Sequence, residues 1–233
     1  MRTATLSHSF GIGTVFCFHK TDSLLCLGGD PPSAEVFDLP MSTLELAAQP
    51  EMERVRAWPG VVLWRSVVYV FGGNLSPPLC EVEKYGVADK QWSAVGPMKQ
   101  GRVAFMPVVY QDRILLISAS PGNTPVESFF PITETYQTLE IAIECQGYGA
   151  LSFLHHNEVQ ILLYKGSFLQ WNPANTHYSQ RETTLPNEEI GISAIAPVWL
   201  NETLYWMQYL TGDLVQWEWK TGLIATPYRV KED

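Results

Sequence analysis

The chain has 233 residues, 46% of them hydrophobic, which is enough apolar material for one sizeable core and too short a chain for several large domains. Its 15 Lys and Arg stand against 24 Asp and Glu, a net charge of -9, and this balance excludes the phosphate neutralisation on which nucleic-acid binding depends. No apolar run approaches the roughly 20 residues that cross a bilayer, and no leader-like stretch follows Met1-Arg2, so no membrane partner is expected and a cytoplasmic location is predicted.

The first apolar run, Phe10 to Phe18, meets a polar break at Lys20 to Asp22 and resumes as Ser23 to Asp30 (SLLCLGGD). Two apolar runs joined by a tight polar turn predict a hairpin, and their near-continuous hydrophobicity predicts strands covered on both faces. Phe37 then ends a third strand, Leu39 to Ser42 reads as a turn, and Leu44 restarts an extended segment. The second copy repeats this plan with Ala57 to Trp64, a break at Arg65-Ser66, Val67 to Asn74 (VVYVFGGN), Tyr85, the turn Val87 to Lys90, and Trp92. In the third the same places hold Val103 to Tyr110, Gln111-Asp112, Arg113 to Ser120 (RILLISAS), Phe130 and Gln137. The fourth has Ala150 to Leu154, His156-Asn157, Val159 to Gly166 (VQILLYKG), Trp171 and Tyr178; the fifth has Ile192 to Leu200, Asn201-Glu202, Thr203 to Leu210 (TLYWMQYL), Trp217 and Leu223.

The second-strand segments begin 44, 46, 46 and 44 residues apart. Four short strands at a period of about 45 predict an all-β protein, a β-propeller of about five four-stranded antiparallel blades. The blades are assigned to 8–48, 56–98, 102–143, 148–184 and 192–230 within a single domain spanning 1–233, and 1–7 is left as a candidate closing strand. Leu223 to Tyr228 competes with Thr3 to Leu6 for that closing place. Helical repeats of similar period are excluded because the runs are short, rich in Val, Ile, Tyr and Phe, and split by Gly and Pro.

The second and third copies resemble the kelch repeat. The residues that carry the resemblance are VVYVFGG over Val67 to Gly73, Glu83-Lys84-Tyr85, Trp92 seven residues after that Tyr, and Pro97-Met98 followed by Gly101-Arg102. The first copy keeps Gly28-Gly29, whereas copies four and five carry Tyr164-Lys165 and Gln208-Tyr209 at the Gly-Gly positions. The resemblance implies that the Gly pair ends the second strand where the backbone leaves no room for side chains. It also implies that the Tyr and Trp pack between blades, and that the domain is a platform for binding proteins. No BTB or F-box pattern is visible near Met1.

Chemistry has little to stand on in this sequence. His8, His19, His155, His156 and His177 lack a second ligand type at metal spacing, and Cys17, Cys26, Cys80 and Cys145 form no CxxC pair, so neither cofactor nor metal is expected. No catalytic motif is present, and the expected function is a non-catalytic protein-protein interaction scaffold or adaptor. The alternatives are a carbohydrate-active or other small-molecule enzyme using the loop face, and a fragment of a larger kelch protein. The loops joining strands two and three, and those entering the next blade, emerge on one face and are long and Pro-rich. On that face the candidate binding residues are Arg54, Arg56, Asn74, Leu75, Arg102 and Tyr148. Arg56 and Arg102 each lie ten residues before a hairpin turn, so two guanidinium groups at the channel mouth are expected to fork onto an acidic peptide or to bond nearby carbonyls and Glu51 or Glu53.

Overall fold

A computed structural model of the chain describes residues 14–43, 45–74, 76–117, 122–145, 150–163, 168–175, 178–181, 198–200, 203–207, 214–218 and 224–228. Strand formation follows the β-branched and aromatic runs. The first sheet holds β1 (Val15–Lys20), β2 (Ser23–Leu27), β3 (Val36–Pro40) and β4 (Ala47–Ala48). The second holds β5 (Gly60–Trp64), β6 (Val67–Phe71), β7 (Val82–Gly86) and β8 (Gln91–Val95). The third is built from β9 (Val108–Tyr110), β10 (Arg113–Leu116), β11 (Gly122–Phe130) and β12 (Thr135–Cys145). The fourth comprises β13 (Ala150–His155), β14 (Glu158–Leu163), β15 (Phe168–Trp171) and β16 (Tyr178–Arg181). The last comprises β17 (Val198–Leu200), β18 (Thr203–Met207), β19 (Leu214–Glu218) and β20 (Ile224–Tyr228).

Among the described residues these strands therefore make five four-stranded antiparallel sheets, and strands consecutive in the chain are always neighbours in the sheet. The fold is an all-β propeller with one sheet per blade. β20 takes the outer place of the fifth blade by pairing with β19, which gives Ile224 to Tyr228 a strand position, and residues 1–7 lie outside the described residues. The first hairpins turn over two residues, closing Trp64 on Val67, Tyr110 on Arg113 and His155 on Glu158. Arg65, Gln111 and His156 open these turns at positive φ, a backbone conformation that tight hairpins demand.

Register corrects three details of the sequence reading. β14 begins at Glu158, not at Val159, because His155 pairs with Glu158 across the turn. The third-strand position of Tyr85, opposite Val68, is filled in the first blade by Leu39 opposite Leu24, not by Phe37. In the third blade it is filled by Phe129 opposite Ile114, not by Phe130. Leu39 and Phe129 are buried whereas Phe37 and Phe130 are half-buried, as side-chain alternation along a strand requires. The same alternation separates the cysteines: Cys17 lies opposite Leu25 and Cys26 opposite Phe16, so the two thiols point to opposite faces of the sheet. Both are free, and burial pushes each thiol up to about 12.

The chain divides into two compact units, Met1–Ala104 with Pro131–Tyr136, and Phe105–Phe130 with Gln137–Asp233. In the first unit, Cys17, Leu25, Leu27 and Val36 of the first blade meet Val68, Val70 and Tyr85 of the second, and Met52 closes the cluster. The second unit has the matching arrangement. Leu115, Ile117, Val126, Ile141 and Ile143 of the third blade face Val159, Ile161, Leu169 and Trp171 of the fourth. Burying one such aliphatic side chain contributes about 1.5–3 kcal/mol, so each of these two joints is a core in its own right.

The Gly pairs explain how the blades of the first unit come so close. Gly72 has φ +60, and a Cβ there would lie 2.3 Å from the Arg102 carbonyl oxygen. Gly73 N–H donates to that same oxygen at 2.8 Å. One blade earlier, a Cβ on Gly28 would lie 2.7 Å from the Arg56 carbonyl oxygen, which accepts the Gly29 N–H at 3.0 Å. The positions of Tyr164-Lys165 and Gln208-Tyr209 lie outside the described residues.

Candidate functional site

In the first unit the loops at one end of the strands are 28–35 and 49–59, followed by 72–81 and 96–104. Backbone hydrogen bonds stitch them together. Ser33 and Arg56 form an antiparallel bridge, Met52 N–H donates to Ala34 O at 3.0 Å, and Asn74 N–H donates to Ala57 O at 2.7 Å. Met98 N–H donates to Cys80 O at 2.9 Å, Arg102 N–H to Leu79 O at 3.2 Å, and Ala104 N–H to Trp58 O at 2.9 Å. Trp58 and Ala104 both take positive φ at equivalent points of their repeats. The apolar runs 57–64 and 103–110 consequently become strands only from Gly60 and Val108.

Arg56 has no solvent exposure. Its Nε and Nη2 donate to Glu83 Oε1 at 3.2 and 2.7 Å, and Nη1 donates to Gly72 O and, at 3.0 Å, to Glu81 O. Glu83 Oε2 accepts the Glu53 N–H at 2.7 Å. One buried ion pair thus ties the strand end at Gly72, the strand β7 and the loop 49–56 to each other. The acceptors are Glu83 and two carbonyls; the side chains of Glu51 and Glu53 are exposed.

The other predicted residues are placed as follows. Arg102 is buried, with 1% of its surface exposed, so it too presents no guanidinium to solvent. Asn74 is half-buried at φ +62; its Oδ1 accepts the Ala57 N–H at 2.9 Å and its Nδ2 donates to Val55 O at 3.5 Å. Arg54 is exposed beside Val55, which is 53% exposed. Leu75 and Tyr148 lie outside the described residues. The structure thus gathers Arg54, Arg56, Asn74 and Arg102 at the loop end of one unit, and Arg54 is the one among them with an exposed side chain.

Sequence reasoning missed Glu83. Its signal was present: Glu83 opposite Val70 and Glu127 opposite Leu116 hold the same register position in successive blades, and both are 2% exposed. A carboxylate recurring at a buried strand position demands a partner. Tyr85 and Trp92 anchor the first blade's exit loop, the Tyr hydroxyl donating to Gln49 Oε1 at 3.2 Å and the indole to Pro50 O at 2.7 Å. Burial raises the Tyr85 phenol above its usual range, and the charges of Asp38 and Asp89 add to the shift.

The exposed residues of this loop end include Pro31, Pro32, Pro50, Pro77, Pro78 and Pro97, and its exposed charges are Asp30, Glu35, Glu51 and Glu53 against Arg54 and Lys99. Prolines have little freedom to lose on binding, so such a surface is pre-organised for contact. Among the described residues no group of three or more His, Cys, Asp or Glu side chains is placed to hold a metal ion. No protein-family model matches the chain, and no curated protein matches it either.

Proposed function

We propose that this chain is a kelch-type propeller that works without catalysis as a protein-protein interaction scaffold or adaptor in the cytoplasm, meeting its partner through the loop end of the first unit. The observation that carries the reading is the hydrogen-bonded, proline-studded loop set built on the buried Arg56–Glu83 pair. The pair spends its charge inside the protein and holds Arg54, Val55 and the prolines outward. The partner's chemistry follows from what is exposed. Acidic side chains outnumber basic ones at this end, which favours a protein segment bearing Lys or Arg over the acidic peptide that solvent-facing Arg56 and Arg102 would attract. A propeller fold is consistent with such a role, and fold alone names no partner.

The test is affinity capture from lysate with mass spectrometry, comparing the native chain with a Glu51→Lys, Glu53→Lys variant. The variant is expected to lose specifically captured proteins while its melting temperature moves by no more than about 2–4 °C, since both side chains are exposed. An unchanged set of captured proteins would remove the loop end as the platform, and turnover of a sugar substrate by the purified chain would remove the non-catalytic reading.

A further inference from the structure

The opposite end of the same blades carries a different surface. Phe18 and Met41 are each 46% exposed and stand at the turn end of the first blade, beside the β1–β2 turn, where Met41 N–H donates to Asp22 O at 2.7 Å. β5 of the second blade packs beside β1. Phe18 opposite Leu24 and Leu63 opposite Val68 hold the same register position, so a half-buried Leu63 follows the exposed Phe18 on the neighbouring inner strand. Next to it, the Arg65 guanidinium stacks 4.3 Å above the half-buried Trp64 ring. Exposed large apolar side chains in the second unit, Leu154 and Tyr178, also flank turns of this kind, one beside the β13–β14 turn and one opposite Trp171 where β15 ends.

Exposed apolar side chains gathered at one end of a sheet stack mark a contact surface. The charges around them show which partner fits. At the turn end of the first unit Lys20, Arg65 and Lys90 are exposed together with Asp22, Glu45 and Asp89. Both signs are present in balance, whereas the loop end of that unit is acidic and the chain carries -9 overall. Two copies of so acidic a protein repel each other across most approaches. The turn end is free of that penalty, and a two-fold axis would set the cations of one copy against the acids of the other while Phe18 and Met41 lose their water. We infer that the turn end of the first unit is a self-complementary docking surface, and that its occupant is a second copy of this chain. The inference does not depend on the partner proposed for the loop end.

The experiment is the molar mass of the purified full chain by sedimentation equilibrium, up to roughly 100 μM, where a micromolar dimer is fully formed. The native chain is expected at twice its monomer mass. Phe18→Ser with Met41→Ser should weaken self-association about tenfold or more, and Val55→Ser at the loop end should leave it unchanged. Arg65→Glu with Lys90→Glu, which alters only exposed side chains, should weaken it as well, and this variant carries the test if the apolar one fails to fold. A native chain that stays monomeric throughout overturns the inference, as does a dimer that both turn-end variants leave intact or one that Val55→Ser disrupts equally.

Discussion

A guanidinium with no access to water must find all its acceptors in the protein, and Arg56 finds them in Glu83 and two carbonyls. Removing one member strands the other charge in a low-dielectric site, so Arg56→Ala is expected to cost about 3–5 kcal/mol, read as a fall in the urea midpoint at unchanged slope. Replacing both residues with apolar ones, Arg56→Met with Glu83→Leu, should cost less than the sum of the single changes, because no lone charge remains. Strict additivity would mean the pair is not coupled. Asp38 gives a second test at this scale. Burial alone would raise its carboxyl, but hydrogen bonds from Ser23 and His19 and the charges of His19 and Lys20 outweigh it and hold the group below its ordinary 3.8. A depressed folded value means that the stability Asp38 supplies is complete above the unfolded value and is lost as pH falls through the folded one. Asp38→Asn should therefore lower the melting temperature most at pH 5 and above, with the gap to the native chain narrowing toward pH 2; a gap independent of pH would refute the assignment.

Between strands and turns, backbone approach matters more than side-chain identity. At Gly72 a Cβ would collide with the Arg102 carbonyl while φ is +60, whereas at Gly96 nothing lies within 4 Å of the added atom. Gly72→Ala is expected to destabilise by about 2 kcal/mol or more and Gly96→Ala to stay within about 0.5 kcal/mol, measured by thermal or urea unfolding. Equal effects at the two sites would show that the Gly pair is not set by close approach. The Gly pairs were legible because their cause, a strand that stops with no room for Cβ, leaves a dipeptide in the sequence. The third-strand column was legible where an aromatic itself fills the place, as at Tyr85, Trp171 and Trp217. In the first blade Phe37 outshone Leu39, and in the third two adjacent phenylalanines hid which one points inward. Pairing register decides such cases, and register depends on a partner strand about 15 residues away. Arg56 was misplaced for a related reason. Its position at the loop end follows from strand count, but its burial depends on Glu83, 27 residues on and across two strands.

At the scale of the whole molecule the repeat itself was the legible quantity. Each blade is a local hairpin pair with apolar inner strands, so period and turn spacing survive even where Gly-Gly and the aromatics do not. The same construction orders the blades' stability from within. A second strand has hydrogen-bonded neighbours on both edges and packed side chains on both faces: Leu25 to Leu27, Val68 to Phe71, Ile114 to Leu116 and Val159 to Leu162 are all buried. Among the described residues the fourth strand has a strand neighbour on one edge only, and in β4 both residues, in β8 Gln91, Ser93 and Ala94, face water. Opening a second strand exposes the buried side chains on its two faces, whereas fraying a fourth strand exposes almost nothing apolar. Amide hydrogen exchange should therefore be about a hundredfold slower or more in β2, β6, β10 and β14 than in β4 and β8. If β4 and β8 exchanged as slowly as β6, burial between blades could not be what holds each sheet, and the edge strands would have to be covered by something other than the chain's own described residues.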